Sequence, residues 1–372
     1  MRGHLGFALL LLSTAPLGAA STSPAQATRR APVPAAPQPR PDARTQTLQA
    51  LVDSAHRAGR FDGAVLVWTG REAAGATAGI ADPATSRRWT LDTRSPWCSV
   101  SKLVTAVVVL DLVREGRLRL SDPAGRTVPA LAAGPPVTLR QLLTHTSGLA
   151  TDGGSVAFWS RPADAVRRSA DALLAGPRRD APGASFRYDN LDYLALEQVI
   201  EAAEGRPYAD VVARRVSRPL GLRTLALGRD VESVGHALDS AGVARPAPVY
   251  TLEAFGAAGG FVGSVRDLLA FGRGLADGRL LPAPWVDALA TVPPNGQSGL
   301  SVWPYPAASA DGRRVRVLER QGWIGGHRAL LLVVPESGAV VAVLASTAAA
   351  DLDRTWSGAG LSAALLRIAL AR

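Results

Sequence analysis

Cysteine is nearly absent from the sequence, which has only Cys98 among its 372 residues. An intrachain disulfide needs two cysteines, so a disulfide framework is excluded. Stability must therefore come from a packed core. A hydrophobic content of 47% over this length is ample for one large domain or two closely joined ones.

Lysine is equally scarce, because Lys102 is the only lysine among the 41 lysine and arginine residues. Arginine keeps its proton at every physiological pH, whereas a lysine can release its proton when its pKa is depressed. The arginines are scattered singly or in pairs and form no strongly basic segment despite a net charge of +10. We therefore expect no nucleic-acid partner and only a weak preference for anions.

Two motifs that would indicate other chemistry are missing. No Gly-x-Ser-x-Gly segment occurs, which argues against an α/β-hydrolase. No set of histidines and carboxylates has the spacing of a metal site, so we expect neither a metal nor a cofactor.

The amino terminus predicts export. Residues 1–27 resemble a secretory signal peptide, with a short basic start, an apolar run over 5–15 and an Ala-Gln-Ala cleavage site. Pro16 ends the run well before the roughly 20 residues of a membrane anchor, so we expect no stable membrane insertion. Residues 28–44, rich in proline, alanine and arginine, predict a linker. We expect a secreted or periplasmic protein with one folded domain over 45–372.

Hydrophobic periodicity predicts strands near both ends of this domain and helices between and outside them. An α/β sandwich follows, in which 45–98 and 276–372 supply an antiparallel sheet with terminal helices, and 99–275 is an inserted, mainly helical region. The predicted helices are 46–58, 169–177, 191–205, 264–278 and 352–370, and the predicted strands are 63–70, 74–82, 298–306, 313–323, 328–335 and 338–346.

Ser99 and Lys102 lie three residues apart at the start of an apolar run with helical spacing. Residues at i and i+3 share one face of a helix, and the start of a helix offers unpaired N–H groups. A serine hydroxyl becomes a good nucleophile when a neighbouring base takes its proton, which a lysine of depressed pKa can do and an arginine cannot. The lone lysine therefore predicts proton transfer.

Tyr188 and Asn190 form a second pair, two residues apart before a predicted helix. On an extended segment, side chains at i and i+2 point the same way, which would present both to one site. The alternative is a turn in which the asparagine caps the following helix.

Taken together, these segments resemble the serine β-lactamases and penicillin-recognising enzymes, in particular the class C β-lactamase branch with its D-alanyl-D-alanine carboxypeptidases, esterases and D-amino-acid amidases. The resemblance runs in order along most of the domain. The matching segments are SVSK (99–102), LLTHTSGL (142–149), YDN (188–190), RPLGL (218–222) and AAGGFVGSVRDLLAF (257–271).

The resemblance implies an active-site cleft between the α/β part and the helical part. It implies that Ser99 is acylated, that Lys102 assists its deprotonation, and that Tyr188 is the general base for both acylation and deacylation. Asn190 is implied to hold Lys102 and the substrate amide.

The third motif of the family departs from its usual form. Relatives carry Lys-Thr-Gly or His-x-Gly where this chain has Arg320-Gln321-Gly322. Gly322 keeps space for substrate, and the N–H groups of Trp323 and Ser99 are the implied oxyanion hole. A cation at Arg320 has two expected roles, which are to bind a substrate carboxylate and to lower the pKa of Tyr188.

His145 and Cys98 are expected to be structural. A histidine between threonines at a helix end usually satisfies local backbone groups, although a Ser–His pair is the alternative. Cys98 is interpreted as a small buried residue. The expected protein is a serine hydrolase acting on a small-molecule or peptide substrate, carboxylate-bearing ones included. The alternative is an inactive penicillin-binding-like protein that holds peptides or cell-wall fragments.

Overall fold

A computed structural model describes residues 42–149, 155–353 and 355–371. The predicted signal peptide and most of the predicted linker lie outside the described residues. The first helix begins at Ala43, inside the linker predicted over 28–44, because the Asp42 side chain accepts the backbone N–H of Thr45 as an N-cap. Within the described residues, no helix is both long and apolar enough to cross a bilayer.

The helices of the described residues fall mostly between the first and last strands. They are α1 Ala43–Arg57, α2 Ser101–Arg114, α3 Leu139–Leu143, α4 Val156–Trp159, α5 Ala163–Leu174, α6 Leu191–Glu204, α7 Tyr208–Val212, α8 Arg218–Leu220, α9 Gly256–Gly259, α10 Val265–Ala276, α11 Ala283–Leu289 and α12 Gly360–Leu370.

The strands form one large sheet and several short ladders. They are β1 Gly63–Trp68, β2 Ala73–Ala78, β3 Ile80–Asp82, β4 Arg87–Arg88, β5 Ser95–Pro96, β6 Ala226–Leu227, β7 His236–Leu238, β8 Ala244–Pro246, β9 Phe261–Gly263, β10 Trp303–Ala308, β11 Arg314–Ile324, β12 His327–Val334 and β13 Ala339–Ala345.

The large sheet has the order β10-β11-β12-β13-β1-β2, and its neighbouring strands are antiparallel. Strands from both ends of the chain therefore share one sheet, and the predicted fold class is confirmed. Strand β13 is buried along its whole length, and β12 nearly so. This burial explains why the sequences of both strands are almost continuously apolar.

Alternate residues of the sheet enter two separate cores. Leu331 and Ala342 belong to the core shared with the helical region, whereas Leu330 and Val341 pack with the terminal helices α1 and α12. Helix α10 covers the face of the sheet that carries Leu331 and Ala342. Because side chains alternate along a strand, the residues of β11 that follow Leu318 at even positions face the helical region.

Several boundaries differ from the prediction. The strand expected over 298–306 begins only at Trp303, because Ser301 has a positive φ of 75° that interrupts extended backbone. The last helix begins at Gly360 rather than near Leu352, because Gly358 and Gly360 have φ of 73° and 79°, which helical backbone does not allow. Helix α11 was not predicted, although proline in its first turn is compatible with a helix start. The short strands β6 to β9 lie within the region expected to be mainly helical.

Candidate active site

Ser99 lies in a single 3-10 turn, Cys98–Val100, that connects β5 to α2. Cys98 has a φ of 48°, in the left-handed region that costs a residue other than glycine about 1–3 kcal/mol. The Cys98 side chain is fully buried, as expected, and burial raises the pKa of its thiol to about 12. The turn thus projects Ser99 toward the cleft and leaves the adjacent thiol protonated.

Lys102, one turn after Ser99, is fully buried. Its Nζ donates to Ser99 Oγ at 3.3 Å, to Asn190 Oδ1 at 2.7 Å and to the carbonyl oxygen of Ala258 at 2.5 Å. Burial, supported by the nearby charge of Arg320, lowers the pKa of Lys102 to about 8. Every N–H of the ammonium has an acceptor, yet the proton is held weakly enough to move near neutral pH.

Tyr188 also contacts the Ser99 hydroxyl. Its hydroxyl donates to Ser99 Oγ across 2.7 Å when the phenol is protonated, and a phenolate would accept the serine proton along the same axis. Burial opposes ionisation, but the charges of Lys102 and Arg320 outweigh it, so the pKa of Tyr188 is lowered. Lys102 Nζ also lies 4.8 Å from the centre of the tyrosine ring.

Asn190 does not act as the helix cap that the sequence left open. It occupies the position before α6, but its side chain makes no capping hydrogen bond and its Oδ1 instead accepts from Lys102. The neighbouring Asp189 accepts the Leu191 N–H in its place. The structure thus brings Ser99, Lys102, Tyr188 and Asn190 into one hydrogen-bonded group.

Arg320 reaches the same group from β11 and donates hydrogen bonds to protein atoms there. It is fully buried, and its guanidinium donates to the Ser99 carbonyl oxygen at 2.7 Å, to that of Ser301 at 3.1 Å and to Tyr188 Oη at 3.1 Å. The guanidinium also packs 4.8 Å from the ring centre of Trp303. Three of its five N–H donors thus engage protein acceptors and the side chain is fully buried, which argues against the expected contact with a substrate carboxylate. The other expected role is supported, because the charge of Arg320 lowers the pKa of Tyr188.

Gly322 lies against the nucleophile itself. A Cβ at this position would be 2.3 Å from Ser99 N and 2.7 Å from Cys98 Cβ. Any side chain would therefore displace the turn that carries Ser99, and not only hinder substrate as the sequence suggested.

The backbone N–H of Trp323 is oriented by the hairpin that follows it. Gly325 and Gly326, with φ of 53° and 78°, form a two-residue turn, so Ile324 and His327 are the closing hydrogen-bonded pair. Trp323 belongs to the next, non-hydrogen-bonded pair, and its N–H points away from β12. Strand β10 does not extend along this part of β11, so the N–H faces the cleft that contains Ser99.

Two cavities flank Ser99. Tyr188, Asn190, Gly322 and Trp323, which the sequence identified, form part of their walls, and the other lining residues were not identified. The aromatic cavity, of about 190 Å³, is lined by Trp159, Tyr250, Phe255 and Ile324. Trp159 and Phe255 stack with ring centres 4.2 Å apart. These aromatic residues are far apart in the sequence, and no local motif links them.

The second cavity, the polar cavity, has a volume of about 250 Å³ and lies on the β11 side of Ser99. It is lined by Trp303, Gln321, Trp323, Arg328 and Asp353. Arg328 donates to Asp353 across 2.7 Å, so the charged pair offers both signs to a bound group.

His145 contacts Tyr188 and not Ser99. Its Nδ1 accepts the Asp189 N–H at 3.2 Å and lies 2.8 Å from Asp192 Oδ2, and its ring centre is 4.4 Å from that of Tyr188. Burial lowers the pKa of His145 well below its usual value and raises that of Asp192 well above its own. Burial thus favours the neutral form of both groups, and the His145 ring packs against that of Tyr188.

Metal chemistry finds no support in this part of the chain. Among the described residues, no group of three or more histidine, cysteine, aspartate or glutamate side chains is arranged to hold a metal ion.

Comparison with known proteins shows the family. A family model described as Beta-lactamase matches residues 45–364. Esterase EstB of Burkholderia gladioli is 36% identical over 195 residues, which are 47% of this chain and 50% of the esterase. Penicillin-binding protein 4 of Amycolatopsis lactamdurans is 30% identical over 273 residues, 66% of this chain and 70% of that protein. The chain spans about half the length of the first curated relatives it matches.

Solved structures agree with this assignment. The D-stereospecific amidohydrolase from a Streptomyces species superposes with a TM-score of 0.66 and 26% identity, over 82% of this chain and 95% of that one. Since the family model also spans most of the sequence, the chain belongs to the beta-lactamase family.

Proposed function

We propose that this protein is a serine hydrolase that cleaves esters or amides through an acyl-enzyme on Ser99. One observation carries the proposal: the Ser99 hydroxyl contacts both Tyr188 and Lys102, whose pKa values are both lowered. A protein that only binds peptides has no need for a buried lysine of low pKa, so this network supports an enzyme over the inactive binding protein.

Acylation requires two proton transfers, both through Tyr188. The Tyr188 phenolate takes the proton of Ser99, whose oxygen attacks the substrate carbonyl carbon. The resulting oxyanion is placed to accept from the N–H groups of Ser99 and Trp323. As the bond to the leaving group breaks, Tyr188 returns the proton to the leaving alcohol or amine, which restores the phenolate.

Deacylation reverses these roles with water. Tyr188 takes a proton from a water molecule, the resulting hydroxide attacks the acyl carbon, and the proton then passes to Ser99 as the ester bond breaks. Lys102 remains hydrogen-bonded to Ser99 and Asn190, and its lowered pKa lets its proton move toward Ser99 Oγ or Tyr188 Oη as negative charge builds on either oxygen in the two half-reactions.

The aromatic cavity supports an apolar acyl group as substrate. Its stacked rings and aliphatic wall favour burial of hydrocarbon next to the reacting carbonyl. The names of the esterase and the D-stereospecific amidohydrolase are consistent with ester and amide leaving groups. Because the Arg320 guanidinium is fully buried against Ser99, Ser301 and Tyr188, we expect β-lactams to be poorer substrates than small neutral esters.

Intact-mass spectrometry tests the proposal directly. Incubation with a fluorophosphonate should add one phosphonyl group to the wild type and none to Ser99→Ala. Incubation with a penicillin in parallel reports whether β-lactams acylate the same serine. An unmodified wild-type protein with no hydrolysis of p-nitrophenyl acetate would contradict the proposal and leave the binding protein as the better explanation.

We also propose that the protein is secreted, on the strength of the signal-peptide pattern in 1–27. The mature chain should begin near Thr28. Amino-terminal sequencing of protein from the medium or periplasm measures this, and an uncleaved chain in the membrane fraction would refute it.

A further inference from the structure

An apolar groove lies beyond the aromatic cavity. Its walls are formed by Val231, Val234, Ala247, Pro248 and Val249, and we call it the valine groove. Its volume is about 220 Å³. An apolar cavity of about 150 Å³ is enough to admit benzene in another protein, so the valine groove has room for several methylene groups.

The valine groove continues the cleft that contains Ser99. Tyr250, Ile324 and Gly325 line both the valine groove and the aromatic cavity. The shared turn is closely packed, since a Cβ at Gly325 would be 3.0 Å from the Pro248 carbonyl oxygen and 3.0 Å from the Tyr250 ring. Glycine at this position thus leaves no side chain between the two spaces.

The lining selects for uncharged hydrocarbon. Among the described residues that form it there is no aspartate, glutamate, lysine or arginine. His327 is the one basic side chain there, and burial lowers its pKa to about 4, so it is neutral at pH 7. Its Nε2 is hydrogen-bonded to Ser233, which leaves these polar groups satisfied without a ligand.

The groove also exposes apolar surface to solvent. Val249 is 86% exposed and Val234 is 38% exposed. Apolar side chains that adjoin one another at the rim of a cleft are typical of a surface that a ligand covers.

We propose that the valine groove binds the distal part of an apolar acyl chain whose carbonyl carbon reacts at Ser99. The aromatic cavity holds the carbons nearest the carbonyl, and the chain then passes over the Gly325 turn. This proposal rests on the proposed hydrolase function and names its substrate class as esters or amides of extended, uncharged acyl groups.

The test compares p-nitrophenyl acetate, butyrate, hexanoate, octanoate and decanoate below their micellar limits. Each buried methylene is worth about fourfold in kcat/KM, so two methylenes in the groove give roughly fifteenfold. We expect kcat/KM to continue rising beyond hexanoate in the wild type. Val234→Glu should lower the ratio of decanoate to acetate kcat/KM about tenfold, because the chain would then displace water from a carboxylate.

Val292→Glu is the matched control, since Val292 is 40% exposed and lines neither cavity nor groove. It should leave the whole series unchanged. The groove proposal is overturned if the wild-type rate stops rising at butyrate, or if Val234→Glu keeps the preference for decanoate.

A binding measurement separates this proposal from the catalytic one. Calorimetry of decanamide with Ser99→Ala should show binding with a negative heat-capacity change, and the added Val234→Glu substitution should abolish it. Binding without any ester hydrolysis by the wild type would refute the hydrolase and retain the groove. Hydrolysis without decanamide binding would refute the groove alone.

Discussion

The guanidinium of Arg320 donates a hydrogen bond to the hydroxyl oxygen of Tyr188 across 3.1 Å, from a fully buried position. A permanent cation is thereby fixed beside the proposed general base. Two further N–H groups of Arg320 donate to the carbonyl oxygens of Ser99 and Ser301. The same side chain therefore connects the turn that carries Ser99 to Tyr188.

Arg320→Gln should raise the pKa of Tyr188, because it removes one of the two cations that lower it. Loss of a charge this close shifts a pKa by about one to three units. The phenolate then forms only at higher pH, so the rising limb of the kcat/KM profile should move to higher pH for neutral and carboxylate-bearing esters alike.

Arg320→Lys should retain most of the original profile, since it keeps the charge. Arg266→Gln is the matched control, because it removes a cation that pairs with Asp92 and lines neither cavity. If Arg320→Gln lowered kcat/KM only for carboxylate-bearing substrates, the result would show that Arg320 binds the substrate carboxylate after all.

Lys102→Arg should reduce kcat/KM by a factor on the order of a hundred or more. Arginine cannot release its proton near neutral pH, and general acid–base steps typically contribute 10²–10⁴-fold. Steady-state rates with p-nitrophenyl acetate, together with circular dichroism to verify the fold, measure the effect. Wild-type rates in this variant would show that the lysine proton does not move.

Gly322→Ala should abolish acylation because the added methyl group would lie 2.3 Å from Ser99 N. The turn must shift, which moves both the nucleophile and one proposed oxyanion donor, and we expect a loss of about a hundredfold or more in kcat/KM. Gly116→Ala is the comparison, since a Cβ there meets nothing within 4 Å and only the backbone strain of a φ of 74° is added, away from Ser99. Equal activities of the two variants would contradict the placement of β11.

The free energy of unfolding should fall as the solution becomes acidic, in part through His327. Burial lowers the pKa of His327 to about 4 in the folded protein, whereas an unfolded histidine titrates near 6.5. Below pH 6.5 the unfolded chain takes up a proton that the folded chain does not. This one group should therefore cost about 2 kcal/mol between pH 7 and pH 5.

Urea unfolding at both pH values, for the wild type and His327→Gln, isolates this contribution. The variant should lose less stability on acidification. The same loss in both proteins would mean that His327 is protonated while folded.

The sequence was sufficient for the fold class and for contacts that depend on local geometry. Helical spacing places Ser99 and Lys102 on one face, and the apolar runs of β12 and β13 predict a sheet covered on both sides. Tyr188 and Asn190 likewise approach one site, as their spacing on the segment before α6 indicated.

The remaining features arise from packing between distant segments. Arg320 faces the helical region because side chains alternate between the two faces of the sheet. It is buried because it contacts Ser99 and Ser301. The pair of His145 with Asp192 spans 47 residues. Neither relationship has a periodic signal. The family motif predicted the effect of Arg320 on Tyr188, but the contacts of Arg320 with Ser99 and Ser301 and the pair of His145 with Asp192 were not predicted.

The burial of Lys102 also gives the chain a built-in reporter of unfolding. A protease specific for lysine has one internal peptide bond to cut, and that bond lies on α2, where the side chain is fully buried. Cleavage must await opening of the helix that carries the active site, so its rate reports that opening. The resulting amino-terminal fragment ends at Lys102 and contains Ser99, so its mass would record any acyl group on the serine.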